Sequence, residues 1–347
     1  MKIAIVNSMQ PFVYGGAEFL ADSLKDKLIE YGHEAQVIRF PFSWYPVKNL
    51  LNGILAARLT RLVNTDLMIG LKFPAYLIPH GNKKLWLLHQ LRQAYDFSGT
   101  EYDIFEPSNK MDQSIRKVVI KSDNTYLKPL EGNIFTNSFI VSNRLMKFNG
   151  IKSEVLFPPL MDAEMFRFGE MGDYIFYPSR VNHTKRQHLA VEAMQYVKSK
   201  VKLLLAGKGD SKEDENIIFS QIDRMNLSHK VTYINRFITQ QEKASYFSNC
   251  LGGIYIPYDE DSYGYVTLEC IHSEKPVITC FDSGGTDVVV KNGETGYVTE
   301  SNPRAIAEAM DRLYKNKKKA ATLGKNGMDL LLNLGISWEN VIRRLTQ

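Results

Sequence analysis

Residues 259–287 read DEDSYGYVTLECIHSEKPVITCFDSGGTD. An apolar run, GGIYIP from Gly252 to Pro257, leads straight into these acids. It reads as a strand leaving a core, and ligands of open α/β sheets gather at the carboxyl ends of strands. YGYVTLECIHS then starts a helix at about Gly264. The free N–H groups and dipole of a helix start favour an anion, and a glycine lets that anion approach the backbone. Asp261 lies just ahead of this helix, and Glu269 about a turn and a half inside it. A carboxylate is a good acceptor for paired hydroxyls such as those of a ribose or a sugar ring. The two acids can therefore hold opposite ends of a sugar nucleotide whose phosphates cross the helix start. The competing reading is an acidic loop followed by a solvent-facing glutamate.

Outward from this stretch, strands and helices alternate. DYIFYPS, VKLLLAG, KVTYINRF, GGIYIP and PVITC read as strands. KRQHLAVEAMQYV, TQQEKASYFSNC and YVTLECIHS read as the helices around them. The chain opens with the same grammar. KIAIVNS is a buried strand, PFVYGG a loop, AEFLADSLKDKLIEYG a helix that Gly32 ends, and EAQVIRF a strand. Such alternation implies parallel sheets covered on both faces. Pro158-Pro159 breaks the pattern. The expected domains are 1–160 and 161–335, with a last helix at 336–347, N-capped by Ser337, packing back on the first.

A diphosphate also needs cations. Arg180 ends the first strand of the second half, and Lys185 follows five positions on. Positive groups there neutralise charge building on a leaving diphosphate. Gly207 and Gly209 follow the next strand in the loop AGKGD, and Gly15-Gly16 stand at the first strand-to-helix turn. Taken singly, each of these pieces is common in α/β proteins.

In this order they resemble the family 4 retaining glycosyltransferases of the GT-B superfamily. That pattern is an acid, seven residues and a glutamate around an aromatic-glycine pair, then a Pro-Val-Ile strand and a Ser-Gly-Gly loop. Here it reads D261-S-Y-G-Y-V-T-L-E269, K-P-V-I-T and S283-G-G285. The resemblance runs nearly the whole chain. It implies a GT-B architecture, two Rossmann-like doubly wound domains facing a central cleft, and a nucleotide-diphosphate sugar as co-substrate, UDP-linked more than GDP-linked. It assigns Glu269 to the ribose, Arg180 and Lys185 to the diphosphate, and Asp261 to a donor-sugar hydroxyl. Tyr263, Gly264, Tyr265 and Val266 line the donor at the helix start, beside Gly207 and Gly209, with Gly15 and Gly16 opposite. His89, at the end of the strand LWLLH, falls beside donor sugar and acceptor, with Arg92 and Tyr95 toward the acceptor. The chain departs from the pattern at Asp261 for a glutamate, at Lys275 for a glycine and at Asp287, where a glutamate two or three positions past the glycines is common. The resemblance implies same-face transfer without a required metal. The Asp-x-Asp at 259–261 would otherwise read as a metal motif of single-domain transferases.

Composition bounds the rest. The 347 residues carry a net charge of +5, and three cysteines with no Cys-x-x-Cys pair. The charge is too weak to argue for nucleic acid, and the cysteines read as reduced thiols of a cytoplasmic protein. Residues 40–100 hold seven Lys/Arg against two Asp, an excess equal to that of the whole chain. Within them LLNGILAARLTRLV places Leu50, Leu51, Ile54, Leu55, Leu59 and Leu62 on one helical face, edged by Arg58 and Arg61. This face either packs inside the first domain or rests on an anionic membrane surface, at the cytoplasmic side. The expectation is a transferase acting on a lipid-linked or saccharide acceptor in bacterial glycolipid or polysaccharide assembly. A sugar-nucleotide epimerase and an inactive sugar-nucleotide-binding protein are the rivals.

Overall fold

A computed structural model describes residues 1–100 and 102–347. The chain divides into two compact units, Met1–Pro158 with Ile336–Gln347, and Pro159–Gly335.

In the first unit the elements run β1 (Lys2–Met9), α1 (Gly16–Glu30), β2 (Glu34–Pro41), α2 (Asn49–Leu59), β3 (Leu67–Lys72), β4 (Lys83–His89), α3 (Lys110–Leu127), β5 (Ile134–Thr136), α4 (Phe139–Asn149) and β6 (Glu154–Val155). The sheet order is β2-β1-β3-β4-β5-β6, and every pairing is parallel. β1 reads as a continuous apolar run because it is buried on both faces: Ile3, Ala4, Ile5 and Val6 are all within the core. The order reverses between β1 and β3, so the crevice of this sheet opens where the Gly15-Gly16 turn and the end of β3 meet.

α2 resolves the two readings of its apolar stretch by dividing it. Leu50, Ile54 and Ala57 are buried, while Leu55 and Leu59 are exposed, as is Val63 just beyond. Arg58 does not edge a surface. Its guanidinium donates to the Leu77 carbonyl at 2.9 Å and lies 3.8 Å over the Tyr126 ring.

The second unit contains β7 (Tyr174–Pro178), α5 (Gln187–Ala193), β8 (Lys202–Ala206), α6 (Lys212–Arg224), β9 (Val231–Ile234), α7 (Gln240–Ser248), β10 (Gly252–Ile254), α8 (Tyr265–His272), β11 (Val277–Cys280), β12 (Gly296–Thr299), α9 (Pro303–Lys315) and α10 (Lys317–Asn333). Its parallel sheet runs β12-β11-β10-β7-β8-β9, the doubly wound order, with its switch point between β7 and β10. α5 is shorter than the sequence pattern predicts. Residues His183–Lys185 form a 3-10 turn capped by Asn182, and Arg186 takes a left-handed conformation (φ 56°) before the helix begins. The last helix, α11 (Trp338–Thr346), belongs to the first unit. Ser337 caps it by accepting the Asn340 N–H at 3.2 Å. Trp338 meets Trp86 edge to face, and Lys84 donates to the Arg344 carbonyl.

Candidate active site

The second unit gathers its polar residues at the switch point, on the loops that follow β7, β8, β10 and β11. Arg180 lies two residues past β7, exposed, and its guanidinium donates to Asp210 at 2.8 Å. Asn182 donates to the other oxygen of the same carboxylate. Lys185 reaches Tyr255 Oη at 2.8 Å and Glu260 Oε2 at 2.5 Å.

Gly207 and Gly209 are accounted for by backbone packing. A Cβ on Gly207 would stand 1.9 Å from the Ser179 carbonyl, and one on Gly209 would stand 2.7 Å from that of Ser211. The loop after β8 thus lies directly against the loop carrying Arg180. The start of α8 is shaped the same way. Gly264 precedes it at φ +73°, and a Cβ there would meet the Tyr255 ring at 2.3 Å. Its N-cap, Gly264, carries no side chain that could cap it.

Of the residues expected to line the donor here, Tyr263 is buried and belongs to the core. Val266 is partly buried and packs against the core of this unit. Tyr265 and Asp261 are half-buried. Lys275, unusual for the pattern, is buried. Its ammonium donates to the Glu170 carbonyl and lies 4.3 Å over the Phe168 ring, so it braces the segment that leads into β7.

Glu269 is 2% exposed. Its Oε1 accepts from Lys243 at 2.7 Å, and its Oε2 has no hydrogen-bond partner among the described residues. Burial pushes this carboxyl up, and the Lys243 charge opposes the shift. An acceptor oxygen withheld from water without a donor costs ~1–3 kcal/mol. Such a cost persists in a native structure where a functional ligand supplies the donor.

Three residues here escape a sequence reading. Arg186 forms a bidentate pair with Asp282 at 2.7 and 2.8 Å and donates to the carbonyls of Ile256 and Pro257. It ties the loop after β7 to those after β10 and β11. Glu260 holds Lys185, although the motif points one residue later. Lys243, on α7, holds Glu269. Arg186 and Glu260 adjoin motif residues, which is the only sequence signal they give. Lys243 gives none.

In the first unit, Gly15 caps α1 and its N–H donates to Glu18 Oε2 at 3.0 Å. Glu18 Oε1 accepts from Asn7 at 3.2 Å and from Lys72, at the end of β3, at 2.9 Å. These bonds hold the Glu18 carboxyl below the usual range against the opposing effect of burial. Gly16 is exposed, with open space where its Cβ would lie. Glu18 too was missed by the sequence reading, although its spacing from Gly15 is that of a capping box.

His89 ends β4, its Nδ1 2.7 Å from the Gln90 carbonyl. It lines a pocket of about 260 Å³ with Ser8, Lys72 and the rings of Phe42, Trp44, Phe73 and Phe97. Arg92 lies on the same wall, bonded to Asp96 and stacked 3.9 Å over Phe97. Tyr95 is turned inward instead. It is buried, donates to Asp123 at 2.6 Å, and serves the core rather than an acceptor.

Two Rossmann-type parallel sheets in one chain, the second with its polar loops at the switch point, are the GT-B type of fold. The family model of glycosyl transferases group 1 matches residues 163–329, nearly all of the second unit. The capsular polysaccharide biosynthesis glycosyltransferase CapM of Staphylococcus aureus is 31% identical over 174 residues, which cover 48% of this chain and 44% of that relative. The chain thus spans less than half the length of this curated relative. Among solved structures, sucrose-phosphate synthase of Thermosynechococcus elongatus superposes with a TM-score of 0.74 at 17% identity, covering 100% of this chain and 97% of that one. Anabaena HepE, in its complex with UDP-glucose, superposes at 0.69 with 14% identity, covering 100% and 98%.

Proposed function

We propose that the chain is a retaining glycosyltransferase that moves a sugar from a nucleotide-diphosphate sugar to an acceptor hydroxyl. The observation that carries this reading is Glu269, a buried carboxylate with one oxygen tied to Lys243 and the other without a donor. Ribose hydroxyls are the donors that such an oxygen lacks. The glycine-led start of α8, Lys185 and Arg180 then provide for the diphosphate. Asp261 binds a hydroxyl of the donor sugar.

In the reaction the bond from the sugar's anomeric carbon to the diphosphate oxygen breaks. The acceptor oxygen bonds that carbon on the same face. The acceptor's proton passes to the departing phosphate, and Lys185 and Arg180 take up the charge that develops there. His89 and the aromatic pocket of the first unit suit the acceptor, a saccharide or lipid-linked sugar. The positive charge comes from protein groups, so turnover survives EDTA. The exposed strip of Leu55, Leu59 and Val63, next to the exposed Arg61, suits peripheral attachment to an anionic bilayer. Vesicle cosedimentation that rises with anionic lipid and falls with salt tests that attachment.

The central experiment titrates the protein with a panel of nucleoside diphosphates and sugar nucleotides, then follows a bound donor by NMR without acceptor. Slow release of free sugar, first appearing with the donor's own anomeric configuration, is the expected result. Epimer formation would make the protein an isomerase. Tight binding without turnover would make it a binding protein.

A further inference from the structure

The fold already provides Lys185 with a carboxylate. Its ammonium lies 2.5 Å from Glu260 Oε2 and 2.8 Å from Tyr255 Oη, and its side chain is 16% exposed. The backbone of Glu260 is clamped. The Gly285 N–H donates to its carbonyl at 2.8 Å, and Glu260 and Gly284 form an isolated parallel bridge. At Gly284 (φ +68°) a Cβ would stand 2.2 Å from that same carbonyl oxygen, so the Ser-Gly-Gly loop closes directly on Glu260. The Glu260 side chain is 33% exposed and is the movable part. The result is a carboxylate on a fixed base, placed over the lysine that the donor's phosphates need.

We propose that Glu260 is a specificity-determining residue of the donor site. It competes with the ligand for Lys185, so that a nucleoside diphosphate displaces it and a nucleoside monophosphate does not. This inference rests on the nucleotide-site reading above. A diphosphate brings more negative charge and a second phosphoryl group, and Arg180 stands on the same loop. Arg180 holds Asp210 through one nitrogen of its guanidinium, so the rest of that fork can meet the second phosphoryl group, and the diphosphate exchanges the Lys185–Glu260 pair for two contacts. A monophosphate exchanges one contact for one and leaves a freed carboxylate beside a dianion, which like-charge repulsion opposes.

The test is calorimetric titration of the intact wild-type protein and of Glu260→Gln with UDP and UMP, and with GDP and GMP, at low salt. Glutamine keeps the size and the hydrogen-bond acceptor and removes the charge. The expected result is that the variant binds the monophosphate about tenfold more tightly while the diphosphate gains about threefold or less, so their ratio narrows. In a Lys185→Met background the same substitution should change neither affinity. Unchanged affinities, equal gains for both ligands, or a gain that survives in Lys185→Met would overturn the proposal. Should the wild type bind neither UDP nor GDP, the nucleotide-site reading fails and this inference with it. Should it bind one of them while the ratio stays put in Glu260→Gln, only the role of Glu260 fails.

Discussion

Each unit carries a buried carboxylate in the helix beside its switch point, and the two are treated differently. Glu18 has a donor on every side: Asn7 and Lys72 at one oxygen, the Gly15 N–H at the other. Glu269 has Lys243 at one oxygen and nothing at the other. The first carboxylate closes a turn of its own unit. The second keeps an acceptor that the ribose proposed above would fill. Two acids of similar burial, on two sheets of similar design, differ in their count of donors, and on that difference rests the proposal that one is structural and the other binds a ligand.

The largest way to sharpen this contrast acts on the first unit alone. Trp338→Ala removes the ring that meets Trp86 and should cost about 3–5 kcal/mol of stability. A melt followed by circular dichroism should show that loss. A calorimetric melt should assign it to the first unit, with UDP still protecting the second. Lys185→Ala comes next. Sugar-nucleotide turnover should fall by about 10²–10³ with a saturating donor, while melting barely moves. A fall below about threefold would remove Lys185 from the phosphate site.

Glu269→Gln and Glu18→Gln put the comparison itself to the test. The former should weaken UDP binding about tenfold, because a neutral amide accepts less strongly from ribose hydroxyls, and should spare a ribose-free sugar phosphate. The latter should lower the melting temperature and leave UDP affinity within about twofold. If the two swapped effects, counting donors would not tell the roles apart.

The smallest effect concerns pH. Burial pushes the Asp123 carboxyl up to about 7, against the hydrogen bonds from Tyr95 and Tyr76. A raised folded value means that its contribution is full below its unfolded value of ~4 and is lost as pH rises through about 7. Burial, with the nearby Arg58 charge, pushes Lys83 down to about 7. That contribution is full above its unfolded value of ~10.4 and is lost as pH falls through about 7. The two limbs meet in a shallow stability minimum near neutral pH, on the order of 1 kcal/mol deep after local relaxation. Asp123→Asn should flatten the acid limb and Lys83→Met the alkaline one. Acid and alkaline limbs that do not differ between wild type and these two variants would contradict both assignments.

Much of the fold is legible in the sequence because buried parallel strands are short, continuous and apolar, and helices of period 3.6 separate them. β1, β7, β10 and β11 stand out for that reason. The break before α5 does not, since left-handed Arg186 is imposed by its contacts with Asp282 and two carbonyls, 70 to 96 residues away. The candidate site divides along the same line. Glu269, Lys185 and Arg180 are visible through their spacing from glycines and strand ends. Lys243, Lys72 and Glu260 take their roles from partners 26, 54 and 75 residues distant, which no local window contains. Tyr95 is misread for a related cause. An aromatic beside a motif looks like a wall of the site, and only the packing shows it turned into the core.

The return of α11 to the first unit has a bearing on the order in which the protein can be made. Pro159–Gly335 is one uninterrupted stretch, so its sheet can close as soon as it leaves the ribosome. The first unit has to wait. Lys84 finds its partner on Arg344 260 residues later, and Trp86 stays uncovered until Trp338 has been synthesised. Closing so long a loop is slow, and surface exposed in the meantime favours misassembly. The half that is translated first is therefore completed last, and a nascent chain needs protection at the β4 face until its final helix arrives.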